Sequence, residues 1–369
     1  MGLVGLKHQR FLEAADGMLR QRMESYLEGN KGYKNLISGQ EMGNMLWAFA
    51  TLDYKPTGLL SLVESYWVEM FEGDLTVSNL SKYTSRQEMA NIAWATAVFG
   101  EYPQKLIELL YNGMLGVSEG LDPDYMQNEL YKDEGILPTH FNSLLYLQIM
   151  MDLDLGVDNN SFALPDNFPS AWSSNPQLTA LIEDSESTQD GNGIMELTSS
   201  AVQTRISNAF DRIDFGHVDE YLLTMKDLVD EFGIQMPPLP VEIISLDIAN
   251  IDSKIGVEVD GPGHWISNID SSENPNILSS VGDYQPQTRN GEKFFEYTFQ
   301  WNSNDQVING STSLKQRLFD KIGWRIINIP FWEWLPVDSP RQNKDEQFEA
   351  QNDFCRALLA NDGSSTESQ

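Results

Sequence analysis

The chain has 369 residues, 41% hydrophobic and 11% aromatic, and its 24 lysines and arginines are outnumbered by 55 acidic residues, giving a formal net charge of −31. That length allows two or three units with buried cores, whereas the negative charge repels polyanions, so any nucleic-acid contact must come from a local basic or aromatic patch. A single cysteine and four scattered histidines exclude a disulfide framework and a zinc cluster, and no apolar run approaches the roughly 20 residues of a membrane span.

A repeat with an offset of 47 residues lies in the first third of the chain. The stretch SGQEMGNMLWAFATLDYKP begins at Ser38, and SRQEMANIAWATAVFGEYP begins at Ser85. Each serine is followed three residues on by a glutamate, Glu41 or Glu88, which is the arrangement of a capping box at a helix N-terminus. Each copy then carries an apolar stripe at helical spacing, so both predict an amphipathic helix. The stripes consist of Met42, Met45, Leu46 and Phe49 and of Met89, Ile92, Ala93 and Thr96.

A second apolar helix follows each copy, and helical pairs of this kind stack because neither pair can bury its apolar face alone. Residues 5–28 have the pattern of a helix from an earlier unit, and residues 139–153 that of a degenerate later unit. We therefore predict that residues 1–153 form an α-helical repeat domain, a short α-solenoid. Trp47 and Trp94 are expected to pack between helices; the alternative is that they bind a nucleotide, as in repeat proteins that read RNA base by base.

The composition changes after residue 153. Residues 154–196 are rich in Asp, Asn, Ser, Pro and Gly and show little periodicity, which predicts a linker or a mobile insertion. Helical periodicity returns at residues 197–213 and again at residues 226–232. We predict that residues 197–362 form an α/β domain.

The strands of this domain begin after the break MPPLP. Alternating residues predict two strands, 242–249 and 254–260, joined by a short turn. An insertion at residues 266–310 contains one further strand candidate, KFFEYTFQW. The remaining predicted elements are a helix at 313–322 capped by Ser311 or Thr312 and stopped by Gly323, a buried strand at 324–330, an aromatic run at 331–334 and a helix at 345–360.

Three carboxylates share one face of the first two strands. If their hairpin turns between residues 251 and 252, Asp247 lies opposite Gly256 and Glu258 lies diagonally from it, about 7–8 Å away. That distance suits two carboxylates that share a divalent cation, and Asp260 continues the same face. Such carboxylates are unfavourable when buried without a cation or hydrogen-bond donors. The residues of the first strand expected to face the other way are Ile244, Leu246 and Ile248.

This arrangement resembles the restriction-endonuclease-like core, in which an Asp and a Glu on adjacent strands hold Mg²⁺. The resemblance implies that Asp247 and Glu258 would be the metal ligands and that Asp260 or His264 would position the attacking water. The alternative is a scaffold, in which Glu258 and Asp260 accept hydrogen bonds from the turn at residues 261–263 and from His264.

The sequence departs from that family at one position. The family usually has a lysine two residues after the glutamate, and here the position is Asp260. The following helix offers Lys315 or Arg317 as a replacement.

Four segments occur in order within residues 200–360: AVQTRISNAF, ISLDIA, VEVDGPGHW and SLKQRLFDKIGWRIINIPFWEW. Together they resemble the RAP domain, an RNA-binding module with this nuclease-like fold. Upstream, MLWAFATL and IAWATAVF are similar to the octotricopeptide-type helical repeats that accompany the domain. The predicted fold class is α + α/β: N-terminal α-helical hairpin repeats followed by a restriction-endonuclease-like α/β domain.

The resemblance implies that the partner is single-stranded RNA and that no cofactor is needed. For each contact there is an alternative, a solvated helix face for the basic residues and core packing for the tryptophans. The expected RNA contacts are Lys315, Arg317, Lys321 and Arg325, with Trp332 and Trp334 as stacking platforms.

The resemblance also implies a place in organellar RNA metabolism: processing, stability, splicing or translation of a transcript, in company with other RNA-processing proteins and away from membranes. We expect a mitochondrial or chloroplast location, and because MGLVGLKHQR shows no Arg/Ser-rich leader, we expect a native reading frame that extends upstream or has been trimmed. Two other functions remain open. One is a Mg²⁺-dependent nuclease, and the other is a protein-interaction scaffold, which suits the acidic surface.

Overall fold

A computed structural model of the chain gives its fold. It combines a helical N-terminal part with a C-terminal part in which helices surround small β-sheets. The N-terminal helices are α1 (Gln9–Leu27), α2 (Gly39–Thr51), α3 (Leu59–Met70), α4 (Arg86–Phe99), α5 (Gln104–Leu115) and α6 (Pro138–Leu155). The structure describes residues 6–71, 83–115, 138–164, 201–236, 242–268, 286–289, 292–295, 306–338 and 343–360.

Both repeat copies begin as helices where the sequence predicts. Ser38 accepts a hydrogen bond from the backbone N–H of Glu41, whose carboxylate accepts one in return from the N–H of Ser38. Ser85 and Glu88 form the same reciprocal pair at the start of α4. The apolar stripes of both helices are buried except Met45, which is half-buried. The predicted helix starts and buried faces of α2 and α4 are therefore confirmed.

The N-terminal helices pack in two rows. Helix α4 lies between α2 and α6, while α3 packs against α1 and α5. Trp47 and Trp94 are both half-buried, and Trp94 packs against the core. The predicted helices at residues 5–28 and 139–153 are present as α1 and α6.

The segment predicted as a linker starts as part of the packed helical region. Helix α6 continues to Leu155, a 3₁₀ turn follows at Val157–Asn159, and Leu164 is buried. A buried polar network fixes this segment, because Asp152 accepts hydrogen bonds from the side chains of Asn160 and Gln148. The rest of the predicted linker, residues 165–196, lies outside the described residues.

The C-terminal part contains a four-stranded sheet in the order β2-β3-β4-β9. The first three strands are antiparallel, and β9 runs parallel to β4. The sheet strands are β2 (Val218–Thr224), β3 (Glu242–Asn250), β4 (Ile255–Asp260) and β9 (Arg325–Pro330). The helices are α7 (Ala201–Arg212), α8 (Met225–Phe232), α9 (Gly310–Lys321), α10 (Phe331–Val337) and α11 (Lys344–Ala360).

Two smaller sheets complete the described strands. One has the order β1-β5-β8, in which the chain start pairs with the strand that follows the 3₁₀ turn Pro262–His264. The other is a hairpin within the predicted insertion. Their strands are β1 (Leu6–Lys7), β5 (Trp265–Asn268), β6 (Pro286–Arg289), β7 (Glu292–Phe295) and β8 (Gln306–Ile308). Most of KFFEYTFQW lies outside the described residues.

Both faces of the four-stranded sheet are covered. On one face, Val257 packs with Ile206 and Phe210 of α7 and with Trp334 of α10. On the other face, aliphatic residues of the sheet and of α9 belong to the same core as the N-terminal helices. The helical region and the sheet therefore share one continuous hydrophobic core.

Helix α9 joins the two regions. Its first residue, Gly310, is buried against the backbone of Ala50 at the end of α2. Farther along α9, the guanidinium group of Arg317 donates to the carbonyl oxygens of Ala97 and Val98 in the last turn of α4. The last carbonyls of a helix lack intrahelical donors, so Arg317 satisfies two groups that α4 cannot satisfy alone.

The start of α9 differs from the prediction. The helix begins at Gly310, and its cap is Asn309, whose side chain accepts from the N–H of Thr312. The predicted caps, Ser311 and Thr312, lie inside the first turn. Asparagine is as good a cap as serine, so residue type alone does not decide among neighbouring candidates.

Candidate functional site

The hairpin that carries the carboxylates has a longer turn than predicted. Residues 251–254 form the turn, with Lys254 at a positive φ of 51°, and the ladder pairs Ile248 with Val257. The predicted pairing of Asp247 with Gly256 was therefore wrong by two positions. In the observed register the residue before Ile248 is Asp247 and the residue after Val257 is Glu258, so the shift brings these two acidic residues side by side.

The alternation of β3 breaks at Asp247. Leu246 pairs with Tyr221 of β2 and Ile248 pairs with Asp219, whereas the intervening residues, Asp247 of β3 and Glu220 of β2, are not paired with each other. Glu220 has a positive φ of 52°. Leu246 packs in the core shared with α9, whereas Ile248 packs on the opposite face of the sheet. The prediction that Leu246 and Ile248 share a face was wrong, because the backbone irregularity turns the strand between them.

The irregularity gives Asp247 a backbone partner. Its Oδ2 accepts a hydrogen bond of 2.7 Å from the N–H of Val259 in β4. On the α7 side, the amide of Gln203 donates to the carbonyl oxygen of Asp247 and to the carboxylate of Glu220. Burial raises the pKa of Asp247, with the Val259 hydrogen bond opposing the rise.

Glu258 is buried, 3% exposed, and pairs with a lysine from helix α9. The Nζ of Lys315 lies 2.5 Å from its Oε2. Oε1 of the same carboxylate has no hydrogen-bond partner among the described residues. Burial raises the pKa of Glu258 to about 7, and the ammonium group of Lys315 opposes that rise. The lysine that the nuclease resemblance requires is thus brought to the glutamate by a helix rather than by the strand.

Asp260 is fully buried and holds two side chains in place. Asn328 of β9 donates to its Oδ2, and Nδ1 of His264 lies 3.1 Å from its Oδ1. Gln316 of α9 donates in turn to Asn328. The contact with Asp260 raises the pKa of His264, which is half-exposed, against the opposing effect of its partial burial.

This cluster is a poor fit for the Mg²⁺ site that the sequence suggests. Within the residues the structure describes, no three His, Cys, Asp or Glu side chains are grouped so that they could hold a metal ion together. Asp247 already accepts from a backbone N–H, and Glu258 already pairs with Lys315. Of the contacts that the scaffold alternative predicts, the described residues show the one between His264 and Asp260. Glu258 accepts from Lys315 of α9, and Asp260 from Asn328 of β9, rather than from the turn.

The raised pKa of Glu258 gives a testable pH dependence. The folded protein retains this proton at pH values at which the unfolded chain, with a pKa of 4.5, has released it. The resulting stabilisation is complete below pH 4.5 and is lost as the pH rises through about 7. We expect the unfolding free energy of the wild type to fall between about pH 5 and about pH 8. In Glu258→Gln, this fall should be smaller by about 2 kcal/mol.

Glu349→Gln, at an exposed position of α11, is the matched control and should leave the pH profile unchanged. Since the charge of Glu258 contributes to the raised pKa of His264, the comparison is repeated in a His264→Gln background, where only Glu258 differs. Chemical unfolding at several pH values measures the effect. An identical pH slope in the wild type and in Glu258→Gln would contradict the assignment.

The four basic residues expected to contact RNA are all engaged within the protein. Lys315 pairs with Glu258, and Arg317 donates to the end of α4. Lys321 lies 2.9 Å from Asp154, and Arg325 donates to the carbonyls of the last residues of α11. The alternative, that these side chains form a solvated helix face, does not describe them fully either, because each side chain makes a specific contact within the protein.

The two expected stacking residues have different environments. Trp334 is fully buried and packs edge-on against Phe354, so it belongs to the core and offers no face to a base. Trp332 is half-buried. The centre of its ring lies 4.7 Å from the ring centre of Trp265 and 5.1 Å from that of Phe331. The sequence interpretation did not single out Trp265 or Phe331 as contacts, although both lie within motifs that it used.

We call Trp265, Phe331 and Trp332 the aromatic cluster. It lies where β4 and β9 end, because Trp265 follows the turn after β4 and Phe331 follows the last residue of β9. His264 is adjacent in sequence and half-exposed. The end of the sheet therefore places three large aromatic rings beside the Asp260–His264 contact.

Comparison with known protein families identifies one part of the chain. Residues 257–346 match the RAP domain model. The match starts in β4 and ends in α11, and so includes Glu258, Asp260, Lys315 and the aromatic cluster. No curated protein matches the chain. Within the described residues, no helix combines the length and hydropathy needed to cross a bilayer. Residues 257–346 are thus similar to the RAP domain, a type of domain generally associated with RNA binding.

Proposed function

We propose that the protein binds single-stranded RNA through the aromatic cluster of its RAP domain. The observation that carries the proposal is the half-buried Trp332, which lies against Trp265 within the matched residues. Unpaired bases stack on aromatic side chains, and each stacked base contributes about 1–3 kcal/mol. His264 extends the same edge with a ring that can donate a hydrogen bond.

Electrostatics supports stacking over phosphate contacts as the main source of affinity. The chain carries a net charge of −31, and Lys315, Arg317 and Lys321 are paired with carboxylates. These paired residues have little charge left to displace counterions from the RNA backbone, so we propose that affinity depends only weakly on salt. Structured duplex RNA, whose bases are already stacked, should compete poorly.

Replacing Trp332 with alanine tests this site. We expect the dissociation constant for an unstructured RNA to rise about tenfold, the loss of one stacking contact of about 1.4 kcal/mol. Tyr33→Ala is the control, because Tyr33 is 91% exposed and lies in the helical region outside the RAP domain. Filter binding at several salt concentrations measures both variants. Equal affinity in Trp332→Ala and the wild type would contradict the site.

The same assay separates the proposed function from its alternatives. Failure of the wild type to retain any RNA at low salt would reject RNA binding and favour the protein scaffold, which pull-down after RNase treatment would then test. RNA cleavage that requires Mg²⁺ and is abolished by Asp247→Ala would favour a nuclease. Retained, intact RNA is the outcome we expect.

We further propose that the N-terminal helices form a short repeat array of the octotricopeptide type and that the protein acts on an organellar transcript. The repeat in sequence, with its two equivalent capping boxes, supports the first part. The RAP domain supports the second part through the proteins that usually carry it. Imaging of the tagged full-length protein tests the location, and a purely cytosolic signal would reject it.

A further inference from the structure

An open cavity of about 430 Å³ lies between α7 and α11, on the face of the sheet away from α9. Its volume is within the range of sites that hold small molecules. Two arginines contribute to the lining, Arg205 and Arg212 of α7, together with Phe348 of α11. The carboxylates in the wall are Asp211 and Asp338.

The charged side chains that line this cavity are two arginines and two aspartates, and one of the arginines lacks a direct carboxylate partner among the described residues. Asp338 is matched by the Nε of Arg205 at 2.6 Å and accepts from the side chains of Gln347 and Gln351. The Asp211 side chain is 69% exposed and lies 3.9 Å from His217. Arg212 is hydrogen-bonded only to neutral side-chain amides among the described residues, so its charge is not matched by a direct carboxylate partner.

The Arg212 guanidinium group lies over an aromatic ring. Its Nε donates to Asn352 and its Nη2 to Gln351, and its central carbon lies 4.5 Å from the centre of the Phe348 ring. Phe348 is 42% exposed. Nucleobases stack on fixed guanidinium planes as well as on aromatic rings. This pair therefore offers a preorganised surface for a planar base.

Arg205 offers the complementary group. Its contact with Asp338 is made through Nε, and 44% of its side chain is exposed. A guanidinium group has five N–H donors, so that contact leaves donors for an anion. Arginine binds phosphate oxygens through two parallel hydrogen bonds.

We propose that this cavity binds one nucleotide, with the base on the Arg212–Phe348 pair and the phosphate against Arg205. The inference extends the proposed RNA binding, because it supplies a second contact point for the strand, separate from the aromatic cluster. It also supplies the phosphate contact that Lys315, Arg317, Lys321 and Arg325 do not offer.

The test uses the full chain with uridine monophosphate as the probe and ligand-observed NMR as the measurement, since this method detects millimolar binding. We expect Arg205→Gln to weaken binding about tenfold. Arg356→Gln is the matched control, because Arg356 lies on α11, is 58% exposed and pairs with Asp353 outside the cavity. Equal binding by the two variants would overturn the proposal, and so would a wild type that shows no binding at millimolar nucleotide.

A second variant covers the case in which Arg205→Gln fails to fold. Phe348→Ala should weaken binding of uridine monophosphate at least fivefold but leave binding of inorganic phosphate unchanged. Equal losses for both probes would show an anion site without base recognition and would overturn the proposal.

The two proposals can fail separately. Nucleotide binding that depends on Arg205, in a protein that retains no RNA, would reject the proposed function and leave the cavity assignment intact. RNA binding with nucleotide affinity unaffected by Arg205→Gln and Phe348→Ala would reject the cavity assignment alone.

Discussion

Replacing Gly310 with alanine is expected to lower the free energy of unfolding by about 3 kcal/mol. A Cβ built on this first residue of α9 would lie 1.8 Å from the carbonyl oxygen of Ala50. The obstacle is backbone in the last turn of α2, so it cannot rotate away as a flexible side chain would. Either helix must move, and because α9 also packs against α4 and α6, the displacement would loosen the contact between the helical region and the sheet.

The matched control is Gly17→Ala. Gly17 is exposed in the middle of α1, and a Cβ there would meet nothing within 4 Å. Alanine has the higher helix propensity, so this variant should be more stable by up to about 1 kcal/mol. Chemical unfolding gives the free energies, and hydrogen exchange locates the loosening in α9. If Gly310→Ala unfolds like the wild type, helices α9 and α2 are not in contact in solution.

The elements that could be predicted from the sequence are those with local signals. A serine followed three residues later by a glutamate fixes where α2 and α4 begin, and both capping boxes form. The apolar run of β9 and the helical spacing of α9 likewise identify their elements. By contrast, Val218–Thr224 was not predicted as a strand. Its first residues include two acidic side chains and lie half in solvent or fully exposed, so the sequence shows no clean alternation.

The geometry of the carboxylate hairpin was only partly predictable. The side-chain alternation of β4 sets which face each residue occupies, but a shift of two residues leaves that pattern unchanged. The turn length decides between the two registers, and this turn contains no glycine: Lys254 adopts the positive φ. The residue types at positions 251–254 do not indicate a four-residue turn. The register between β3 and β4 could therefore be obtained only from the structure.

The partners in the site could not be assigned from sequence alone, because they come from distant elements. Lys315 and Glu258 are separated by 57 positions, and the sequence offered Lys315 and Arg317 as equal replacements for the missing lysine. Helix geometry separates them: two positions turn the side chain by about 200° around the axis. Lys315 therefore faces the sheet, whereas Arg317 faces the N-terminal helices.

Replacing Arg317 with alanine should accordingly destabilise the protein without weakening RNA binding by the folded fraction. The variant removes the donors to the carbonyls of Ala97 and Val98 and a 3.6 Å contact with Asp154. Hydrogen bonds from charged groups contribute about 1.5–3 kcal/mol, and buried acceptors left without donors add to the loss. We expect the free energy of unfolding to fall by about 3 kcal/mol.

Two further variants show that the position of the guanidinium group, and not positive charge alone, causes this effect. Arg317→Lys keeps the charge but cannot reach both carbonyls with a planar fork, so it should recover less than half of the loss. Lys321→Ala removes only the partly exposed contact with Asp154 and should cost less than about 1 kcal/mol. Unfolding and filter binding are measured on the same preparations. If Arg317→Ala weakens RNA binding while the unfolding curve stays unchanged, Arg317 contacts RNA and does not join α9 to α4.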